Sequence, residues 1–366
     1  MHRSFCLLAV LVLPSLLPAQ TEKPLRIAVA GLVHGHVEGF LLNPAQKRKD
    51  VEIVGIFEPN TALAATIAKK FGYPESLLFT NLNTMLDSVK PDAVATFTNT
   101  FDHAMVVEAA APRHLPVMME KPLAVSVAHA RRIQQAAERY GIQVVVNYET
   151  SWYASHGAIW DLVKERKSVG GIRRMVAMDG HQGPKEIGVG PEFLSFLKNP
   201  ALNGAGALFD FGCYGANLMT WLMDNQRPAA VMAMTRHIKP EIYPDVDDDA
   251  TVLLEYPKAQ GVIEASWNWP YGRKDFEVYA ERGYAIATGG NSLRVRVADA
   301  QEETRTPAAL PADEHDALSY FYAVARGKRK STGLSSLENN VIVTEILEAA
   351  KDSARTGSKV QLARKP

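Results

Sequence analysis

Short, almost wholly apolar runs alternate with amphipathic stretches through the first 147 residues. Residues 25–31, 51–57, 77–79, 93–97, 115–119 and 142–146 have the length and composition of strands. Between them, residues 61–71, 81–89 and 125–140 carry apolar positions three and four apart, and further helical stretches run on to residue 49 and from His103. Strands and helices alternating at this interval predict a doubly wound parallel sheet over about residues 25–147. Past Asn147 the order changes. Helices are expected at 155–167 and 210–223. Strands are expected at 173–178, 230–238, 250–256, 261–267, 276–280 and 293–297, and two helices, 312–326 and 337–354, close the chain. Consecutive strands with short turns predict a mostly antiparallel sheet, so this half is α+β.

Composition narrows the partners. Forty basic and forty acidic residues give a formal net charge of zero, so no charge excess points to nucleic acid or to a lipid surface. Residues 1–19 have the layout of a secretory leader: Arg3, an apolar run from Phe5 to Leu13, then Pro14 and a small residue at Ala19. That run is shorter than the roughly 20 residues a bilayer requires. The expectation is a periplasmic or secreted protein beginning near Gln20 or Thr21, with no membrane anchor after cleavage. Cys213 is then the one remaining thiol, and no internal disulfide can form.

The candidate chemistry begins at Met118-Met119-Glu120-Lys121-Pro122, where a buried strand delivers a charged pair to its carboxyl edge. In open α/β sheets ligands bind at that edge, and Pro122 stops the strand just past Lys121. The first strand enters Gly31-Leu32-Val33-His34-Gly35-His36, a variant of the phosphate-binding turn. Gly31 fits its first position, Val33 and His36 occupy the second and third, and Gly35 stands one place early. Glu58 ends the second strand, where a carboxylate binds the ribose hydroxyls of NAD and repels the extra phosphate of NADP. Asp210, Tyr214 and Asn217, at i, i+4 and i+7, are expected to share one face of a helix, a polar stripe that must meet either water or a cleft. His181 and Tyr148 are expected in the cleft wall, and Trp267, Trp269 and Tyr271 could stack on a sugar. No metal is expected: His34-x-His36 has no third ligand apparent in sequence, and Asp245–Asp249 lacks the glycine and glutamate of a calcium loop.

Several of these pieces together resemble the Gfo/Idh/MocA oxidoreductases, the group of glucose–fructose oxidoreductase and inositol dehydrogenase. Glu120-Lys121-Pro122 is the most specific mark. Asn99 with His103, the Glu348–Gly357 segment, and the stretch from Gly206 to Asn217 support it. The Asp210-x-Gly212-x-Tyr214-x-x-Asn217 form looks more like the glucose–fructose oxidoreductase and dihydrodiol dehydrogenase branch. The resemblance implies a Rossmann dinucleotide-binding domain over residues 24–147 and an α+β substrate and oligomerisation domain over 148–330. A helix and tail over 331–366 would pack back towards the first domain. It implies NAD, less readily NADP, held by Gly31, Val33, His34, Gly35, His36, Glu58, Thr98, Asn99, His103, Glu120 and Lys121. A carbohydrate-like substrate would be held by Lys121, Tyr148, His181, Asp210, Tyr214 and Asn217. The implied catalytic set is Lys121, Tyr214 and Asp210, in a homo-oligomer built through the open sheet face.

The expected reaction is hydride transfer between the nicotinamide and a sugar, cyclitol or related polyol. A phenol has an ordinary pKa of about 10, and a neighbouring Lys121 ammonium would lower it towards a usable base. The sequence leaves either Tyr214 or Lys121 as the proton acceptor. Two rivals stand beside this reading: an NAD-using glycosidase or lyase working through transient oxidation, and a non-catalytic nucleotide-binding sensor.

Overall fold

A computed structural model describes residues 23–362. The leader expected over residues 1–19 lies outside the described residues.

The first sheet is built from β1 (Leu25–Ala30), β2 (Val51–Phe57), β3 (Leu78–Phe79), β4 (Ala93–Thr96), β5 (Val117–Glu120) and β6 (Val144–Asn147). All pairings are parallel, in the order β3-β2-β1-β4-β5-β6. The central strands are buried on both faces, as a parallel sheet covered by helices demands, which is why they read as continuous apolar runs. The order reverses between β1 and β4, and a crevice opens there at the carboxyl ends.

The second sheet has nine strands: β7 (Ile172–Gly180), β8 (Ala230–Arg236), β9 (Asp249–Glu255), β10 (Gln260–Ser266), β11 (Arg273–Ala280), β12 (Gly283–Thr288), β13 (Leu293–Val297), β14 (Glu303–Arg305) and β15 (Val360–Gln361). Their order is β14-β13-β12-β11-β7-β10-β9-β8-β15, antiparallel except for β7 beside β10. The fold is therefore the expected parallel sheet followed by a mixed, mostly antiparallel one.

The Gly212–Leu222 helix lies on β7 and β10, and the Leu337–Thr356 helix packs against both it and β8. Gly215 permits that close approach: a Cβ there would sit 2.8 Å from the Ala177 Cβ and 2.9 Å from Ile263. The Leu337–Thr356 helix also reaches the first sheet's layer, where Glu348 Oε2 accepts the Val127 N–H at 2.7 Å.

The expected 210–223 helix is in fact broken. Ala207–Asp210 forms one turn, Phe211 leaves the helical path with φ −108°, and the longer helix starts at Gly212. Asp247 holds the short turn by accepting the N–H groups of Gly206 (2.9 Å) and Leu208 (2.7 Å). Asp210 and Tyr214 still border one cavity across the break, whereas Asn217, three residues further along the Gly212–Leu222 helix, points away from it. Asn217 is fully buried and faces the Leu337–Thr356 helix, donating to Leu334 O (2.8 Å) and Asn340 Oδ1 (3.3 Å). It is a core residue and not part of the cleft. Asn217→Ala should accordingly cost about 1–3 kcal/mol in denaturant unfolding, as for a lost buried hydrogen bond. Nucleotide affinity should stay unchanged; a variant of full stability with weakened ligand binding would contradict this placement.

Candidate active site

β5 carries Lys121 to the crevice, and the side chain is only 5% exposed. Its ammonium donates to Asp210 Oδ1 at 2.5 Å and to the Asp210 carbonyl at 3.0 Å, leaving its third N–H for the cavity. Asp210 Oδ2 accepts the Trp267 indole N–H at 3.0 Å. Trp267 is thus a fully buried brace for the aspartate and not a sugar platform. Burial alone would lower the lysine and raise the carboxyl. Their mutual attraction outweighs it, so Lys121 is held above its ordinary value and Asp210 below.

Tyr214 lies beside this pair, its ring centroid 5.1 Å from the Lys121 Nζ. A second ammonium, Lys274, lies at the same distance from that ring. Lys274 pairs with Glu149, whose other oxygen accepts the Tyr153 hydroxyl at 2.6 Å. The Tyr214 hydroxyl has no hydrogen-bond partner among the described residues. Burial, then the negative charges of Glu149 and Asp210, push the phenol well above its ordinary pKa. The expectation that Lys121 lowers it therefore fails. Asp210 offsets the charge of the ammonium, while burial and nearby negative charge both favour the neutral phenol. Near neutral pH Tyr214 is a donor.

His181 ends β7 and lines the same cavity. Its Nδ1 accepts the Gly183 N–H at 2.9 Å, so the neutral ring carries its proton on Nε2. Burial, chiefly, keeps it neutral by lowering its pKa. Tyr148 is displaced from its expected role: it is fully buried behind Tyr214, edge-on at 5.5 Å.

On the dinucleotide side, Gly31 has φ +84°, and a Cβ would collide with Thr98 Cγ2 at 2.5 Å. Glu58 is buried at the end of β2, accepting Leu32 N–H (2.8 Å) and Asn60 N–H (2.9 Å). Val33, Gly35 and His36 line the cavity. His34 is buried against Phe193, with ring centroids 4.3 Å apart. Asn99 caps the Thr100–Asp102 turn, accepting the Asp102 N–H at 3.1 Å. His103 is buried with Nδ1 3.2 Å from Leu123 O and braces the turn after Lys121. His103 thus supports the crevice from behind, whereas Asn99 is half-buried just past the carboxyl end of β4.

Lys121, Asp210, Tyr214, Lys274 and His181, with Val33, Gly35 and His36 from the dinucleotide side, line a cavity of 570 Å³ between the two sheets. A second cavity of 540 Å³ near Arg131 and Arg227 lies elsewhere, and the Glu345 carboxylate binds both arginines. Two site features escaped sequence reading. Lys274 shares the inward face of β11 with Phe276 and Val278, and a lysine on an apolar alternation was its available signal. The other is the contact that Glu120 makes with His36. The Glu120 carboxylate also lies near His34, so the His-x-His pair does have a third potential metal ligand, with one atom from each within 4.8 Å of the others.

Removing the lysine should expose how much the buried pair matters. Lys121→Met leaves Asp210 buried without its cation, which should cost about 3–5 kcal/mol. The carboxyl's folded pKa then rises above its unfolded value, so it favours the folded state at low pH and loses that benefit as pH rises through the folded pKa. Relative to wild type, the variant's Tm should therefore increase between pH 8 and pH 5. A deficit independent of pH would contradict the pairing.

Residues 25–148 match the oxidoreductase family with an NAD-binding Rossmann fold, and residues 162–286 match the GFO/IDH/MocA C-terminal domain. Among curated proteins, dTDP-3,4-didehydro-2,6-dideoxy-α-D-glucose 3-reductase of Streptomyces antibioticus is 27% identical over 165 residues. That alignment takes in 45% of this chain and 47% of the relative, about half of its length. D-xylose 1-dehydrogenase (NADP(+)) 2 of Haloferax volcanii is 23% identical over 87% of this chain and 94% of its own. The aldose-aldose oxidoreductase of Caulobacter crescentus, solved with glycerol, shares the fold with a TM-score of 0.78 at 21% identity, over 93% of this chain and 100% of its own. With the matched segments covering most of both sheets, the chain belongs to the Gfo/Idh/MocA family of NAD-binding oxidoreductases.

Proposed function

We propose that the protein oxidises a secondary alcohol of a sugar, cyclitol or related polyol, with NAD preferred over NADP. The observation that carries this reading is the Lys121 ammonium, fixed by two bonds to Asp210 and left with one N–H facing a cavity that meets the dinucleotide edge. The chain fits a dinucleotide: Gly31 admits no side chain, the Val33–His36 turn borders the cavity, and Glu58 stands at the end of β2. Bound NAD supplies the hydride acceptor.

Lys121 donates its free N–H to the reacting oxygen and stabilises the negative charge that develops there. The Tyr214 hydroxyl and the His181 Nε2–H are further donors, suited to the hydroxyl-rich edge of a polyol. Each ammonium in the wall carries its own carboxylate, Asp210 for Lys121 and Glu149 for Lys274, which suits an uncharged substrate. Met232, Met234 and Leu253 form an exposed apolar patch on β8 and β9, which supports assembly of a homo-oligomer through that face. The leader read in residues 1–19 supports action outside the cytoplasm.

The direct test is formation of reduced nicotinamide with NAD and a panel of D-glucose, D-xylose, myo-inositol and methyl glucosides. Lys121→Met should lower turnover by about 10²–10³, as for a lost oxyanion donor. Tyr214→Phe should lose only about tenfold, the worth of one hydrogen bond. A larger loss for Tyr214→Phe than for Lys121→Met would reverse these roles. The cofactor preference rests on Glu58. Glu58→Gln, which keeps one acceptor for the turn, should improve NADP binding relative to NAD by roughly tenfold or more. An unchanged ratio in fluorescence titration would remove Glu58 from cofactor choice.

A further inference from the structure

Oxidation of an alcohol releases a proton as well as a hydride, and most groups in the cavity wall cannot accept it. Lys121 and Lys274 are ammoniums paired with carboxylates. Both Asp210 oxygens are already bonded, to Lys121 and to Trp267. Tyr214 is held as the neutral phenol, and His181 presents a protonated Nε2. His36 differs from all of these.

His36 Nδ1 lies 3.1 Å from Glu120 Oε2. Glu120 is 1% exposed, and its Oε1 accepts the Asn147 amide N–H at 2.6 Å. The Asn147 amide is itself oriented, because its Oδ1 accepts the Trp152 indole N–H at 3.0 Å. A carboxylate that accepts on both oxygens requires the proton on His36 Nδ1, which leaves Nε2 as a free lone pair. Nε2 has no partner among the described residues, and the side chain is 32% exposed in the cavity wall. The Phe40 and Phe193 rings, with centroids 5.0 and 5.9 Å away, hold the imidazole edge-on.

The dyad is also close to the chemistry. Glu120 immediately precedes Lys121, and His36 shares the cavity wall with Lys121 and Lys274.

We propose that His36, oriented by Glu120, is the proton acceptor for alcohol oxidation; the role rests on the oxidoreductase reading. The substrate O–H bond breaks and its proton passes to Nε2, directly or through one water. The carbon's hydrogen leaves with its electron pair, for which NAD is the acceptor, and the C=O bond forms. Glu120 offsets the imidazolium charge, and the exposed ring returns the proton to solvent. Glu120 is a positioning residue: it fixes the tautomer and supports the charged form.

The first test requires no substrate. In the full-length protein labelled with ¹⁵N-histidine, with His36 assigned from its loss in His36→Gln, the neutral ring should carry its proton on Nδ1, with and without NAD. A proton on Nε2 would overturn the proposal. The second test uses any compound of the panel above that yields NADH. At saturating NAD, His36→Gly should lose about 10²–10⁴ in turnover and regain at least about tenfold with added imidazole. Glu120→Gln, whose amide can donate as well as accept, should let part of the neutral His36 ring carry its proton on Nε2. Weakened NAD binding without imidazole rescue would reduce His36 to a cofactor contact. Turnover abolished by EDTA and restored by Zn²⁺ would make His34, His36 and Glu120 a metal site instead. Absence of NADH formation from every compound would sink the oxidoreductase reading, while the tautomer measurement would still decide the dyad.

Discussion

The site depends on the buried ion pair between Lys121 and Asp210. One partner comes from the end of a parallel strand, the other from a single helical turn in the second half of the chain, 89 residues on. A buried pair is stable only when its remaining valences are satisfied, and here all are except one ammonium N–H that faces the cavity. Trp267 takes the second oxygen of Asp210, the Asp210 carbonyl takes another ammonium proton, and Asp247 fixes the turn from below. Loss of either partner would leave a charge in the core and release the geometry on which both sheets converge.

The rest of the cavity repeats this logic of paired charge. Lys274 and Glu149 form a second pair across the Tyr214 ring, and Tyr153 tethers the glutamate. Tyr214 therefore lies between two ammoniums, yet burial and the nearby carboxylates keep its proton in place. Electrostatic reasoning from a lysine–tyrosine pair alone gives the opposite sign, because it omits the carboxylates that accompany each lysine. The roles separate accordingly: an ammonium for the oxygen, neutral donors for orientation, and an acceptor elsewhere.

Much of the fold was legible because the first sheet is buried on both faces, and burial writes itself as apolar runs. β2 and the Thr61–Phe71 helix fall where the pattern put them. Lys121 was legible too, since a strand that ends in a charge and a proline can only stop at an edge. The Asp210 region was not. Periodicity runs straight through Phe211, whereas the break there is set by Asp247, more than thirty residues away. Asn217 was misread for the same reason: its partners Leu334 and Asn340 lie over a hundred residues on. Glu120 was visible, but its meeting with His36 needed the fold, because β1 and β5 are separated by β4 in the sheet.

The central claim is that a nicotinamide dinucleotide occupies the crevice between the sheets, with Lys121 at its substrate end. Hydrogen–deuterium exchange of the full chain with and without NAD tests it most directly. Protection is predicted at residues 31–37, 58–61 and 119–123, and on the facing segment 187–193 of the second half, whose Val189 and Phe193 line the same cavity. Protection confined to the surface around Arg131 and Arg227, or none at any of these segments, would contradict the account.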